Sequence, residues 1–321
     1  MTENAPDRPR IILDCDPGHD DAVAIVVAAA HCDVVGITTV AGNAPLARTT
    51  HNARVLRHML DLDTPVHSGA AGPLVVPPAF AGYVHGESGL DGAELPEPTR
   101  PLDGTDAVGF IVDTLRGAER GADGRTDIHL VVTGPMTNVA LALRSAPDIA
   151  DLVAGISFMG GGTFGNRTPM AEFNLWADPH AAAIVVDSGI PMQMAGLDVT
   201  HRFQATPERI ERVRQLDGHL ATVLTGLFDF FSANYRARHD DMAGAAVHDP
   251  LSVLALTHPD LFVRAERFVD VVLDGEHTRG MTVIDHRTLV DRPAANCTVL
   301  EDVDADAAWS VVVEAVRRGS R

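Results

Sequence analysis

Four aspartates stand within eight residues near the start of this chain: Asp14, Asp16, Asp20 and Asp21, in the string Asp14-Cys15-Asp16-Pro17-Gly18-His19-Asp20-Asp21. An apolar stretch ending at Leu13 precedes them, and Ala22 to Ala30 follows. Read as a buried strand and a helix, these flanks put the first two carboxylates at a strand end. The last two fall at a helix start, where negative charge suits the helix dipole. Two unit charges about 4 Å apart interact by about 4 kcal/mol at an effective dielectric of about 20. Such a cluster must take up protons or a cation. Its donors are hard oxygens with no thiol pattern beside them, which favours Ca²⁺ or Mg²⁺ over zinc.

Two other readings of the acidic string meet obstacles. An EF-hand loop requires a glutamate at its twelfth position, where counting from Asp14 reaches Ile25 and from Asp16 reaches Val27. A phosphatase forming an aspartyl-phosphate also begins with D-x-D after a first strand, but continues with an apolar residue and Thr or Val. This chain has Pro17-Gly18-His19.

The elements that must hold these residues alternate along the chain. Strands are expected at Arg10–Leu13, Val34–Val40, Pro65–His67, Ile128–Val132, Gly155–Met159, Met192–Ala195 and Thr298–Leu300. Helices are expected over Ala22–Ala30, Leu46–Leu60, from a Thr105 cap to Arg116, after Pro135 to Arg144, from Asp178-Pro179 to Asp187, across most of 206–237, over Pro250–Leu256 and over Ala305–Arg318. Phe268–Leu273 and Thr278–Ile284 read as a hairpin around Asp274-Gly275, and 68–104 as a long Gly/Pro-rich loop of the kind that often carries function. Alternation of this sort predicts a mostly parallel sheet with helices on both faces. No linker or repeat divides the chain, so one domain over 1–321 is expected. Asp14, Asp16, Asn43, Thr133, Met159 and Asp198 all follow strand ends, where open α/β sheets bind ligands.

Composition narrows the partners. Acidic residues outnumber basic ones 44 to 25, a formal charge of −19 over 321 residues. That surface repels phosphate backbones and anionic lipid, which argues against a nucleic-acid polymer or membrane partner. Cys15, Cys32 and Cys297 form no CxxC pair and are odd in number; they read as reduced thiols of a cytoplasmic protein. The first ten residues have no apolar signal core, and no apolar run approaches the length of a membrane span.

The acidic string resembles the N-terminal signature of the inosine–uridine preferring nucleoside hydrolase family. Further segments agree in order: Val40-Ala41-Gly42-Asn43, His85-Gly86-Glu87-Ser88-Gly89, Val132-Thr133-Gly134-Pro135-Met136-Thr137-Asn138, Met159-Gly160-Gly161, Ala171-Glu172-Phe173-Asn174 and His248-Asp249-Pro250. The resemblance implies a Rossmann-like sheet with a small β-hairpin extension. It also implies Ca²⁺-dependent hydrolysis of ribonucleosides, purine or pyrimidine, to ribose and free base, by a homo-oligomer (dimer or tetramer). By the same resemblance, Asp16, Asp21, Thr133 through its carbonyl, and Asp249 would hold the metal. Asp249 could also cap the helix opened by Pro250. Asp16 would act as general base toward water and His248 as the acid for the leaving base. Asp20, Asn43, Asn166, Glu172 and Asn174 would hold the ribose. His85, Phe173 and Met159 would lie near the base, with Tyr235 a further candidate. Asp14 would support the loop, and His19 would have no catalytic role. On an extended segment His248 and Asp249 would face opposite sides. The alternative from another class is a calcium-stabilised ribose- or nucleoside-binding protein without turnover; the aspartyl-phosphate phosphatase is a third.

Overall fold

Ile11, Ile12 and Leu13 are each almost wholly buried, and they divide between two cores: Ile11 and Leu13 join one, Ile12 the other. That division is the two-residue period of a strand packed on both faces. In the computed structural model, which describes residues 8–237, 242–288 and 291–320 apart from the Tyr83 side chain, this strand is β1 (Arg10–Cys15). It lies between β2 (Asp33–Thr39) and β4 (Ile128–Val132), parallel to both. With β3 (Val66–Ser68), β5 (Gly155–Met159) and β6 (Met192–Ala195) the order across the sheet is β3-β2-β1-β4-β5-β6. The Cys297–Val303 strand continues the sheet parallel to β6, and Phe262–Arg267 closes the edge antiparallel to it.

Helices cover both faces. α1 (His19–His31), Pro250–Thr257, His219–Arg236 and Ala305–Gly319 pack on one; Ala107–Gly117, Thr137–Ser145 and Pro179–Val186 pack on the other. Nine of the ten apolar residues between Ala22 and Cys32 share the first core, so α1 is the buried helix its all-round apolar sequence requires. The chain steps from one side of β1 to the other between β3 and β4. Such a reversal leaves a crevice beyond the carboxyl ends of β1 and β4. Asp16 and Thr133 leave the sheet at that point.

Some local expectations are corrected. The helix expected from a Thr105 cap begins at Ala107, and Asp106 caps it through Oδ1, which accepts the Gly109 amide at 2.8 Å. The hairpin shortens to Val269–Val271 against Thr282–Ile284, a two-stranded piece outside the main sheet, with a longer connection than an Asp274-Gly275 turn. Leu216–Gly218 splits 206–237 into two helices, Gly218 turning the chain at φ +109. The Phe262–Arg267 strand was not expected. It pairs on one side only and carries Arg264, Glu266 and Arg267, charges that suit a sheet edge and mask its strand pattern. The 68–104 segment is a long loop, interrupted by the short helix Gly82–His85.

Candidate active site

β1 runs straight into the acidic turn. Asp14, Asp16, Asp20 and Asp21 are all buried there, and Asp249 joins them from the start of the Pro250–Thr257 helix. Carboxylate oxygens of Asp20, Asp21 and Asp249 lie within 4.8 Å of one another. Charges at that spacing repel by roughly 3.5 kcal/mol at an effective dielectric of about 20. Among the described residues, none of the ion pairs involves these five aspartates. The result is a strong pull for protons. Burial, then the charge of Asp21, pushes Asp20 up to about 7. Burial, then Asp20 and Asp21, holds Asp249 well above the usual carboxylate range, and burial, then Asp21, does the same to Asp16.

Each carboxylate is held differently. Asp21 is the most anchored: Oδ2 accepts the Gly18 amide at 2.9 Å and Asn43 Nδ2 at 3.0 Å, and Oδ1 accepts the Thr133 hydroxyl at 2.7 Å. Asp16 Oδ2 accepts the Asn43 amide at 2.6 Å, while its Oδ1 is buried without a hydrogen-bond partner among the described residues. Gly42 and Gly134 crowd this carboxylate so closely that a Cβ on either would collide with it. Asp20 Oδ2 accepts the His248 amide at 3.3 Å. Asp14 sits one layer deeper: its Oδ1 accepts Thr38 Oγ1 at 2.6 Å and Asn138 Nδ2 at 2.7 Å, and burial raises it to about 6. Asp249 has helical backbone angles, and its side chain makes no capping bond, so the expected extended conformation and capping task are both corrected. His248 and Asp249 line the same cavity.

That cavity, about 290 Å³, opens above the carboxylates. Of the residues expected at the site, Asp20, Asn43, His85, Thr133, Met159, Asn166, Glu172, Phe173, Asn174, Tyr235, His248 and Asp249 line it, while Asp16 and Asp21 lie beneath. Asp198 does not reach it; its carboxylate binds the Thr163 amide and hydroxyl instead. One wall is a rigid polar frame. Glu172 caps the Phe173–Ala177 helix, Oε1 accepting the Asn174 amide at 2.8 Å and Oε2 the Gly161 and Leu175 amides. Burial raises Glu172 to about 7. Asn174 Nδ2 donates to the carbonyls of Thr133 and Met159, and Asn166 Oδ1 accepts the Phe173 amide at 2.9 Å.

The opposite wall is aromatic. His248 Nδ1 lies 2.7 Å from Thr200 Oγ1, and its ring is 6.5 Å from that of Tyr235. Phe231, Asn234 and Tyr235 present one face of the His219–Arg236 helix, as positions three and four apart do. Phe231, Asn234, Ala81 and Val84 were not expected at the site. The spacing of Phe231, Asn234 and Tyr235 was the available signal; Ala81 and Val84 had none. His19, tucked behind His85, stacks on Phe230 and Phe231, and burial lowers it to about 4.

A model of the inosine-uridine preferring nucleoside hydrolase family matches residues 11–310. The chain belongs to this family. Among curated proteins, it is 46% identical over 298 residues to the pyrimidine-specific ribonucleoside hydrolase RihA of Escherichia coli O1:K1, covering 92% of this chain and 94% of the relative. It is 43% identical over 311 residues to RihA of Escherichia fergusonii, covering 96% and 98%. Among solved structures, a purine-preferring ribonucleoside hydrolase from Gardnerella vaginalis superposes with a TM-score of 0.88 at 30% identity, over 97% of this chain and 99% of that one. The plant nucleoside hydrolase PpNRh1 gives 0.86 at 29%, over 97% and 99%. Nucleoside hydrolases of this kind are N-ribohydrolases, and hydrolysis of ribonucleosides is the activity of this chain. The family is metal-dependent, and the buried acidic cluster supplies hard oxygen donors with an orphaned Asp16 Oδ1, a set that fits a cation.

Proposed function

We propose that this nucleoside hydrolase is calcium-dependent and prefers pyrimidine ribonucleosides. The observation that carries the metal assignment is the buried cluster of Asp20, Asp21 and Asp249, which pairs with no Lys or Arg among the described residues, above the unpartnered Asp16 Oδ1. Asp16, Asp21, Asp249 and the Thr133 carbonyl would hold Ca²⁺, with Asp20 near enough to share it. When bound, the ion would lower the pKa of the attacking water and orient ribose hydroxyls.

The remaining work falls to side chains. Asp16 takes the proton of the water: its free oxygen and raised proton affinity are what a general base needs. The reaction builds positive charge on the ribose, as in glycosidases, and the surrounding carboxylates stabilise it. Asn174 spends its amide hydrogens on Thr133 and Met159, so its Oδ1 is turned to accept a ribose hydroxyl. Glu172 acts through the frame, its oxygens being taken by backbone amides. Asp20, Asn43 and Asn166 complete the ribose contacts. His248 donates a proton to the departing base, with His85, Phe173, Met159 and Tyr235 around that base.

The pyrimidine preference rests on the names of the relatives: the 46% relative is described as pyrimidine-specific, the 30% structure as purine-preferring. A panel of uridine, cytidine, inosine and deoxyuridine, read by free-base release with calcium present, tests it. Uridine and cytidine are expected to exceed inosine by about tenfold or more in kcat/KM, a margin of about 1.4 kcal/mol, with deoxyuridine poor. Preferential release of hypoxanthine would contradict the assignment. We further read the whole chain as one catalytic domain, in a cytoplasmic homo-oligomer. Three buried free cysteines support a reducing compartment, and among the described residues no helix is long and apolar enough to cross a membrane.

A further inference from the structure

We propose that Trp176 and Arg279 are positioning residues through which the hairpin extension holds Asn166 at the ribose side of the cavity. The inference rests on the reading that Asn166 contacts the ribose. Trp176 lies half-buried on the Phe173–Ala177 helix, one turn after Phe173. The Arg167 guanidinium carbon is 4.2 Å from the centre of its ring, and that of Arg279 is 4.6 Å from it. Among the described residues neither arginine forms an ion pair. Acidic residues outnumber basic ones 44 to 25, so carboxylate partners are plentiful in this chain. Two guanidiniums that settle on one indole instead are held by its π-face and by stacking. Arg279 Nε is buried without a hydrogen-bond partner among the described residues, so the ring contact is what offsets its desolvation.

Arg167 follows Asn166 directly. Asn166 Oδ1 accepts the Phe173 amide at 2.9 Å, so two consecutive side chains bind the same short helix. With Oδ1 spent in this way, Nδ2 is the group that Asn166 can offer a ligand in the cavity it lines. Asn166 is exposed, so its direction must come from these neighbours rather than from burial. The hairpin side supplies the rest of the grip. Ala171 bridges Met281 in antiparallel fashion, Thr168 Oγ1 donates to the His277 carbonyl at 2.9 Å, and the Gly162 amide donates to Thr282 Oγ1 at 3.3 Å. Gly280, at φ +80, lies so close to the Trp176 backbone that a Cβ would collide with it. The loop 162–171 is thus clasped from outside by 277–282, with Arg279 inside that clasp. No hairpin residue is among those that line the cavity. Any influence of the hairpin on the ribose must therefore pass through Trp176 and this loop.

The test is a double-mutant cycle on the full-length protein. Arg279→Met keeps an aliphatic stem, removes the guanidinium and leaves every cavity residue in place. It should lower kcat/KM for uridine about three- to fivefold, the worth of about one stacked cation. Hydrogen exchange at the Phe173 amide, the donor to Asn166, should quicken while the thermal transition persists. In an Asn166→Ala background the same substitution should change kcat/KM by less than about twofold, because the group it positions is gone. Arg167→Met should behave in the same way. An equal loss in both backgrounds, or unchanged exchange at Phe173 in Arg279→Met, overturns the proposal. If Arg279→Met does not fold, Arg167→Met, at an exposed position, carries the same cycle and the same exchange measurement. An Asn166→Ala protein with the wild-type kcat/KM would instead remove the ribose contact on which the inference rests. Absence of any uridine turnover by the wild type would sink the proposed function, and exchange at Phe173 would still report whether the stack holds Asn166.

Discussion

The two ends of the central sheet are built from the same strands and treat charge in opposite ways. At the amino ends a cavity of about 570 Å³ is lined by His129, Met192, Gln193, Glu266, Asn296 and Thr298, among others. Its charged and hydroxyl groups include ordinary pairs: Thr298 Oγ1 donates to Glu266 at 2.6 Å, and nearby Arg10 bridges Asp33 and Asp127. At the carboxyl ends the cavity is half that size, about 290 Å³, yet it stands over five buried aspartates that form no ion pair among the described residues. Volume alone would choose the wrong end. Uncompensated like charge, held in place by a rigid frame, is what marks the carboxyl end as the candidate active site.

Substitutions at the two ends should therefore differ sharply. The largest effect is expected for Asp16→Asn, which keeps the shape and removes the base: kcat on uridine should fall about 10³-fold while the thermal transition persists. A near wild-type rate in a folded Asp16→Asn protein would dismiss Asp16 as the base. His248→Ala should cost about 10²-fold on uridine, and under about tenfold on nitrophenyl riboside, whose leaving group departs without a proton. Equal losses on both substrates would argue against leaving-group protonation.

A thermal measurement sharpens the contrast without relying on turnover. Burial raises Glu172 to about 7, and burial with repulsion from neighbouring carboxylates raises Asp20 to about 7 and Asp249 well above the usual range. A raised carboxylate pKa contributes stability that is present below the unfolded value and is lost as pH rises through the folded value. The metal-free fold thus loses this contribution around neutrality, and a cation that binds the ionised carboxylates restores it. Calcium should raise Tm by about 5 °C near pH 8 at saturating levels, and by less than half of that near pH 6. A calcium shift that grows on acidification would have the wrong sign. The smallest effect is expected at the amino end: Glu266→Gln, at an exposed edge-strand position, should leave kcat/KM within about twofold. A loss comparable to that of His248→Ala would erase the distinction between the two ends.

Much of the acidic end was legible because its chemistry is contiguous in the chain. Asp14 to Asp21 form one string, and the runs that end at Thr133 and Met159 are short, apolar and bounded by Gly or Pro, so strand ends and site residues could be read together. The 3-2-1-4-5-6 order then places the string at the reversal point, as its position after the first strand suggested. What escaped is assembled by packing. Ala81 and Val84 come from the long loop, and Phe231 and Asn234 from one face of a helix that also feeds the core through Leu227 and Phe228. Nothing local distinguishes those that line the cavity from those that fill the interior. Asp198 erred in the other direction: it follows a strand end, but its partner is a loop backbone. Phe262–Arg267 was hidden because an edge strand carries charge where a central one carries Val and Ile.

The central claim is that the buried carboxylates work only around a cation. Uridine hydrolysis by protein stripped of metal, with removal verified by elemental analysis, and then titrated with Ca²⁺, tests it most directly. Uracil release should be abolished in excess chelator and return in full as calcium saturates the site; full turnover in the verified metal-free protein would contradict it.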